Sequence, residues 1–208
     1  MSKKITFIVG SPRKNRSCNF LIDNAIEGVK SVSKDFMINK IQISDYKITP
    51  CNGCDQCLRP PNDCPLAEND DTKKLEELLF ESSALLIASP NYFGSLSSQV
   101  KVLIDRSRPW KMKGYLFKDV IFAPLASTGL RGYGEGVISD LINFALIQGM
   151  IVVGNALGNP VLEGNMPITS LQKFDLKDFV AKGEVDELAG TIARDLGKRI
   201  GELLLKIN

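Results

Sequence analysis

Residues 4–10 read KITFIVG, a run of β-branched and aromatic side chains that ends at a glycine and is followed by Ser-Pro. A continuous apolar run of this kind is typical of a strand buried on both faces of a parallel sheet, so we predict that it forms the central strand. Residues 17–33 follow with Leu21, Ala25 and Val29 at helical spacing. The chain therefore begins as strand, loop and helix.

The same alternation continues along the rest of the chain. Further strands are predicted at residues 36–43, 84–89, 120–126 and 151–155. Further helices are predicted from Asp71 or Thr72 to Ser82, and at residues 97–108, 136–148 and 183–207. Five strands alternating with five helices predict an α/β fold with a doubly wound, five-stranded parallel sheet. Sheets of this class bind ligands in loops at the carboxyl ends of the strands.

Composition narrows the possible functions. The 208 residues are 44% hydrophobic and carry 26 basic and 24 acidic side chains, which favours one compact domain spanning residues 1–208. The absence of like-charged blocks disfavours nucleic acids and membranes as partners. The absence of histidine excludes Ser-His-Asp and Cys-His hydrolysis and His-ligated metal catalysis. We see no signal peptide and no apolar run of membrane-spanning length, so we expect a cytoplasmic protein with reduced cysteines.

The loop after the first strand, residues 10–18, reads GSPRKNRSC. It lacks the G-x-G-x-x-G pattern of a dinucleotide site. Donors from Ser11, Asn15 and Ser17, the charge of Arg13 and the free amides of a helix start would suit a phosphate monoester. The alternative is an ordinary turn in which Ser17 only caps the helix.

Residues 44–71 have little apolar periodicity and contain four cysteines, which indicates a functional loop insertion. The candidate metal ligands are Cys51, Cys54, Cys57 and Cys64. Three overlapping turns and a fourth cysteine followed by proline resemble the run that binds a ferredoxin cluster, whereas structural zinc usually takes two separated C-x-x-C pairs. A 4Fe-4S cluster is therefore favoured, with zinc and free thiols as alternatives. Cys18 lies apart, in a helix's first turn, where packing is its expected role.

Two further loops follow predicted strands. Residues 89–95 read SPNYFGS and residues 127–134 read STGLRGYG. Their amides, hydroxyls and aromatic faces suit a planar heterocycle beside the first loop. The alternative for each is an ordinary strand–helix loop with core aromatics.

Three stretches together resemble a known family: GSPRKN at 10–15, the cysteine run at 51–64, and SPNYFGSLSSQVKVLIDR at 89–106. They are similar to the NADPH-dependent FMN reductase-like flavoproteins, specifically the iron-sulfur flavoprotein branch. The resemblance implies a flavodoxin-like fold, bound FMN, a 4Fe-4S cluster on the four cysteines and a homo-oligomer. Carried over by position, it places the FMN phosphate near Ser11, Arg13, Asn15, Ser17 and Cys18, and the ring near Pro90, Asn91, Tyr92, Phe93, Gly94, Ser127, Thr128 and Gly129.

This chain departs from the resemblance at residues 16–18, which read Arg-Ser-Cys where the family usually has Gly-Asn-Thr. A weak thiol donor at Cys18 would therefore replace a hydroxyl donor, although the backbone amide could still serve.

The resulting functional hypothesis is an FMN and 4Fe-4S redox protein that transfers electrons between a donor and an acceptor, such as a ferredoxin or a nicotinamide. Outer-sphere transfer requires no catalytic side chain, so none is assigned. The alternatives are an NAD(P)H-dependent FMN reductase or quinone-type oxidoreductase with structural zinc, and a non-enzymatic redox sensor. The apolar segment 108–117 either covers the protein's own core or contacts another subunit, and the resemblance favours a homodimer or homotetramer.

Overall fold

The computed structural model of the protein describes residues 3–129, 133–158, 161–163 and 187–207. The strands are β1 (Lys4–Val9), β2 (Met37–Gln42), β3 (Ser82–Pro90), β4 (Ile121–Thr128), β5 (Ile151–Val152) and β6 (Val161–Glu163). The helices are α1 (Ser17–Val32), α2 (Thr72–Leu79), α3 (Ser98–Arg106), α4 (Arg108–Met112), α5 (Gly134–Ile147) and α6 (Glu187–Lys206). Short 3-10 turns occupy Ile43–Asp45, Gln56–Leu58 and Pro65–Glu68.

The strands form one parallel sheet in the order β2-β1-β3-β4-β5, and β6 also pairs with β4. This confirms the predicted doubly wound, parallel α/β sheet, whose strand order is that of flavodoxin. The edge of the sheet differs from the prediction, because β5 spans two residues rather than 151–155. It pairs with Ile121 and Phe122, while the unpredicted β6 pairs with Ala126, Ser127 and Thr128 at the other end of β4.

The core lies in two layers, one on each face of the sheet. β1, β3 and β4 are buried almost throughout, as their continuous apolar runs predict. Helices α1 and α6 pack together on one face, and α3, α4 and α5 contribute to the core on the other. Glycine at position 28 allows the close approach of α1 and α6, since a Cβ there would lie 1.9 Å from the Arg194 carbonyl oxygen.

Helix boundaries depart from the sequence prediction at two places. The helix predicted to end at Ser82 ends at Leu79, because β3 already begins at Ser82, where the hydroxyls of Thr6 and Ser82 are 2.7 Å apart. The helix predicted over 97–108 is broken at Ser107, and the short helix α4 follows it. The predicted last helix is described from Glu187, so residues 183–186 of that prediction lie outside the described residues.

Segment 108–117 turns its largest aromatic groups inward. Trp110 and Phe117 are each 1% exposed, and their ring centroids lie 5.5 Å apart in an edge-on contact. The Trp110 indole donates a 2.6 Å hydrogen bond to Glu76. Tyr115 and Leu116 remain exposed. Part of the apolar surface of this segment therefore covers the protein's own core, and the predicted contact of the rest with another subunit stays a prediction.

Across the described ranges, no helix is both long enough and apolar enough to cross a membrane.

Candidate functional site

Hydrogen bonds join the loops that follow β1, β3 and β4 into one edge of the sheet. The Ser97 hydroxyl donates to the Gly10 carbonyl at 2.6 Å, which links the first loop to the second. The Asn91 amide donates to the Ser127 carbonyl at 2.7 Å, and the Asn91 side chain donates to the Tyr133 carbonyl at 2.5 Å. The three loops that were predicted from the sequence to bind a ligand are therefore neighbours in space.

Gly10 sits where the backbones are closest. Its amide donates to the Ala88 carbonyl at 2.7 Å. A Cβ at this position would lie 2.3 Å from Val100 Cγ2 and 2.7 Å from the Ala88 carbonyl oxygen. Only glycine lets the end of β1 pass so close to β3 and α3. Because the connections leave β1 and β3 in opposite directions along the sheet, this is the switch point where doubly wound sheets bind ligands.

The loop after β1 offers a polar cradle at the start of α1. Ser11 is buried, and its hydroxyl accepts a 3.1 Å hydrogen bond from the Arg13 amide. Asn15 adopts a left-handed backbone with φ of 54°, and its amide donates to the Asn19 side chain at 2.9 Å. Ser17 begins α1 and is buried. The arrangement directs the chain sharply into the helix and leaves Arg13 exposed.

The start of α1 has the electrostatics of an anion site. The first amides of a helix have no carbonyl partner within it and form its positive end. Within the described part of the chain, the side chain of the N-cap residue Arg16 makes no capping hydrogen bond, and the first turn of α1 has no acidic residue. Arg13 and Lys14 are exposed beside it, although Lys14 forms a 2.5 Å ion pair with Asp45. This end of the helix can therefore attract a phosphate.

Cys18 belongs to the core. Its side chain is 2% exposed and packs among apolar residues of the α1–α6 layer. Burial raises the pKa of the Cys18 thiol to about 12, against a weaker opposing effect of the Arg13 charge. The thiol is therefore neutral and structural at physiological pH. Its place in the first turn keeps the backbone amide at the start of α1.

The loop after β3 is a tight turn that presents aromatic side chains. The Asn91 side chain accepts a 2.8 Å hydrogen bond from the Gly94 amide, and the backbones of Tyr92 and Ser95 bridge the turn. Phe93 is fully exposed with φ of 51°. Bulky residues rarely adopt this left-handed backbone, and such positions concentrate at functional sites. The hydrogen bonds of this turn thus fix Phe93 in a solvent-exposed position.

The remaining predicted ring contacts lie where β3 and β4 end. Pro90, Ser127 and Thr128 are buried at the strand ends, and Gly129 is half-buried beyond them. Residues 130–132 of the predicted loop lie outside the described residues. A separate cavity, lined by residues of 43–50 and by Ser98, Gln99 and Val102, lies between the start of the cysteine insertion and α3.

The four cysteines of the insertion share one cavity. Cys51 and Cys54 are exposed, Cys57 and Cys64 are half-buried, and all four are free thiols that line the same concavity. Residues of α3 and α4, including Arg106, complete its wall. Among the described residues, no three cysteine, aspartate or glutamate side chains are arranged to hold a single metal ion.

A buried ion pair fastens both ends of the insertion to α3. Arg106 Nη1 donates to the Thr49 carbonyl and to Asp70 Oδ2, each at 2.6 Å. The side chains of Arg106 and Asp70 are 1% and 0% exposed. Burial alone would raise the pKa of Asp70, but hydrogen bonds from Thr72, Arg106 and the Thr49 amide hold that pKa well below its usual range. Asp70 is therefore ionised at neutral pH.

Two further cations reach the insertion from α4 and the residue after it. Arg108 Nη1 donates to Asp55 Oδ1 at 2.6 Å, and Lys113 pairs with Asp63. Burial raises the pKa of the Cys57 thiol, while the nearby Arg108 charge acts in the opposite direction. Basic residues of the α3–α4 region thus contact the cysteine insertion at several points.

Sequence reasoning missed Arg106, although a signal was present. Val100, Leu103 and Arg106 follow each other at intervals of three along α3, and all three are buried. A cation in line with an apolar helical stripe is unusual, because arginine is rarely buried without a partner. Its position in the stripe therefore predicts a buried cation with a specific acidic partner.

Comparison with known proteins adds the family. The NADPH-dependent FMN reductase family matches residues 3–160. An iron-sulfur flavoprotein of Archaeoglobus fulgidus is 38% identical over 201 residues, which cover 96% of this chain and 94% of that protein. An iron-sulfur flavoprotein of Methanocaldococcus jannaschii is 30% identical over 203 residues, 97% of each chain.

Solved structures resemble the fold at low sequence identity. A flavodoxin, WrbA-like protein from Agrobacterium tumefaciens superposes with a TM-score of 0.60 at 15% identity, over 100% of both chains. An NADH:FMN oxidoreductase superposes with a TM-score of 0.63 at 20% identity, over 96% of this chain and 90% of its own. At these identities the likeness concerns the fold, which is flavodoxin-like.

Proposed function

The chain belongs to the NADPH-dependent FMN reductase family, in its iron-sulfur flavoprotein branch, and we propose that it binds FMN and a 4Fe-4S cluster and transfers electrons between a donor and an acceptor. A flavin redox role follows from the family. The proposal that both groups are bound rests on one observation. Four thiols line a single cavity, in a chain whose parallel sheet also has the candidate flavin loops at its switch point.

FMN suits the loop after β1 because that loop fits a terminal phosphate. The buried Ser11 hydroxyl, the α1 start and the exposed Arg13 supply donors and positive charge. FAD would present a pyrophosphate, for which the loop has no glycine beyond Gly10. The turn that exposes Tyr92 and Phe93 supplies flat apolar surface for the ring.

A cluster suits the cysteine cavity better than zinc does. Four thiolates around one zinc ion, each about 2.3 Å from the metal, must lie about 3.8 Å from one another. A cubane distributes its four cysteines over four irons, so its ligands stand farther apart. The spacing of the four cysteines in sequence, together with the cavity that they share, therefore favours the larger group.

The chain's own contribution is to bind and separate the two groups. When bound, FMN exchanges one or two electrons and a cluster exchanges one, so together they link hydride-type donors to one-electron acceptors. Arg13 and Ser11 would hold the phosphate, and the cysteines would hold the cluster. The donor and acceptor we propose are a nicotinamide and a ferredoxin-like protein, in either direction.

We also propose a homodimer or homotetramer. Met112, Tyr115 and Leu116 are exposed next to the α4 residues that wall the cysteine cavity. Apolar side chains in such a group are typical of subunit contacts. Sedimentation of the protein at micromolar concentration should give a multimer, and a monomer would refute this part of the proposal.

The cofactors are tested directly on anaerobically purified protein. Extraction and chromatography should give FMN and no FAD, and analysis should give iron and acid-labile sulfide in equal amounts. Zinc without sulfide would instead indicate an oxidoreductase with a structural zinc site. A protein that holds the cluster but transfers no electrons from any donor, and binds a partner only with the cluster present, would indicate a sensor.

A further inference from the structure

Arg106 uses only part of its donor capacity. Its Nη1 group serves the Thr49 carbonyl and Asp70, as described above. Nε and Nη2 are buried and have no hydrogen-bond partner among the described residues. In a guanidinium, the Nε and Nη2 protons point in the same direction and form a flat two-pronged donor, the geometry that binds anions most strongly.

The position of this unused donor pair is informative. Arg106 lines the same cavity as the four cysteines of the insertion. Buried donors almost always have an acceptor, and a buried cation without one is especially unfavourable. Asp70 compensates the charge through Nη1, so the remaining need is for an acceptor near Nε and Nη2. An electron-rich group held by the cysteines would meet that need.

We propose that Arg106 donates hydrogen bonds from Nε and Nη2 to sulfur atoms of the cluster and thereby raises its reduction potential. The inference rests on the proposed cluster. A cluster with four thiolates carries net negative charge, and reduction by a flavin or chemical donor adds one electron and no proton. Donors to the sulfurs stabilise that added charge, so the reduced form gains more than the oxidised form. Arginine stays protonated throughout and supplies no proton.

Two variants separate this role from a structural one. Arg106→Lys keeps a positive charge but loses the planar donor pair. Asp70→Asn weakens the ion pair that fastens the insertion but keeps the Arg106 guanidinium. If the ion pair alone mattered, both variants would alter the cluster in the same way.

The measurement is a redox titration of the cluster followed by electron paramagnetic resonance, with iron and sulfide contents determined for each protein. For Arg106→Lys, we expect at least a tenfold shift of the one-electron equilibrium toward the oxidised form, which corresponds to a midpoint lowered by about 59 mV. For Asp70→Asn, we expect no lowering, since removing a negative charge favours reduction. An unchanged midpoint in Arg106→Lys, or an equal lowering in both variants, overturns the inference.

A measurement on the unchanged site covers the case in which Arg106→Lys fails to fold. Arginine side chains labelled with 15N should give magnetic coupling to the reduced cluster, and the coupling should persist in Arg108→Lys, which removes the other arginine of the cavity wall. Loss of all 15N coupling in Arg108→Lys overturns the inference while leaving the cluster in place. Wild-type protein without iron and sulfide refutes the proposed function itself, and the inference with it.

Discussion

Replacement of Asp70 by alanine should destabilise the whole protein, because it leaves a buried cation unpaired. The Asp70 carboxylate accepts from Arg106 at 2.6 Å and from the amides of Thr49 and Thr72 at 2.9 Å each. Alanine removes all three of these hydrogen bonds. Arg106 would remain 1% exposed with only the Thr49 carbonyl as its partner in the described chain.

The expected loss is about 3–5 kcal/mol in the free energy of unfolding, which is the usual effect of removing one partner from a buried ion pair. Domains of this kind have a total stability of about 5–15 kcal/mol, so a large share would be lost. Asp70 immediately precedes Asp71 and α2, and Arg106 ends α3. Both helices pack on the sheet, so the loss should appear in global unfolding rather than only in the insertion.

Urea titration of metal-free protein, followed by far-ultraviolet circular dichroism, measures the effect without a contribution from metal loss. The matched control is Asp71→Ala at the next position. Asp71 also accepts from a backbone amide and a lysine, but Lys74, its ionic partner, is 72% exposed. The control should therefore lose far less stability, because exposed ion pairs contribute little.

The effect should depend on pH in one direction. The folded-state pKa of Asp70 lies below its unfolded value of about 3.9, so its contribution is complete above that value and is lost as the pH falls toward the folded-state pKa. The difference in stability between wild type and Asp70→Ala should stay constant from pH 7 to about pH 5 and narrow below about pH 4. A loss no larger than that of Asp71→Ala, or a difference that grows in acid, would refute the ion-pair argument.

Three other variants test the remaining parts of the molecule. Arg13→Ala should weaken FMN binding roughly 10- to 100-fold, because it removes a charge-assisted contact of about 1.5–3 kcal/mol. Lys14→Ala should change the FMN affinity little, because the Lys14 ammonium already pairs with an aspartate. Both affinities can be measured by flavin fluorescence. Cys54→Ser should lose most iron and sulfide while retaining FMN, since serine is a poor ligand for iron. The control Cys18→Ala should keep the wild-type iron content. A full iron content in Cys54→Ser would show that Cys54 is not a required ligand. Gly10→Ala should lower stability to urea by about 1–3 kcal/mol because its Cβ meets a backbone oxygen at 2.7 Å, and unchanged stability would contradict the packing described at the switch point.

The architecture was readable from the sequence where a local pattern and burial coincide. The run at 4–10 predicts a strand buried on both faces, and β1 is such a strand. By contrast, β6 consists of three residues that pair only with the far end of β4, so no periodicity could reveal it. The break at Ser107 was also missed, because the helix predicted over 97–108 rests on buried positions such as Val100 and Leu103, which do not show where its last turn ends.

The sequence predicted the cysteines of the candidate site but not the ion pair that holds their loop in place. The cysteine spacing predicts metal or cluster binding, since four thiols in a short loop have few other uses. The ion pair that orders this loop joins Asp70 to Arg106, which are 36 residues apart, and its strength comes from burial. Sequence shows a charge but not its solvent exposure, so the pair becomes visible only when α3 and the end of the insertion are packed together.

Helix α3 connects the two candidate cofactor sites through its two ends. Ser97 caps its start by accepting from the Val100 amide, and the Ser97 hydroxyl also donates to Gly10 in the loop after β1. Arg106 at its end holds the cysteine insertion. At 1.5 Å per residue, these two anchors are separated by about 14 Å along a rigid helix. The spacing between the flavin loops and the cysteine cavity of one chain is therefore set by regular secondary structure. Because the same helix carries the unused donor pair of Arg106, substitutions that shift α3 should alter flavin binding and cluster potential together, whereas substitutions confined to residues 51–64 should alter the cluster alone.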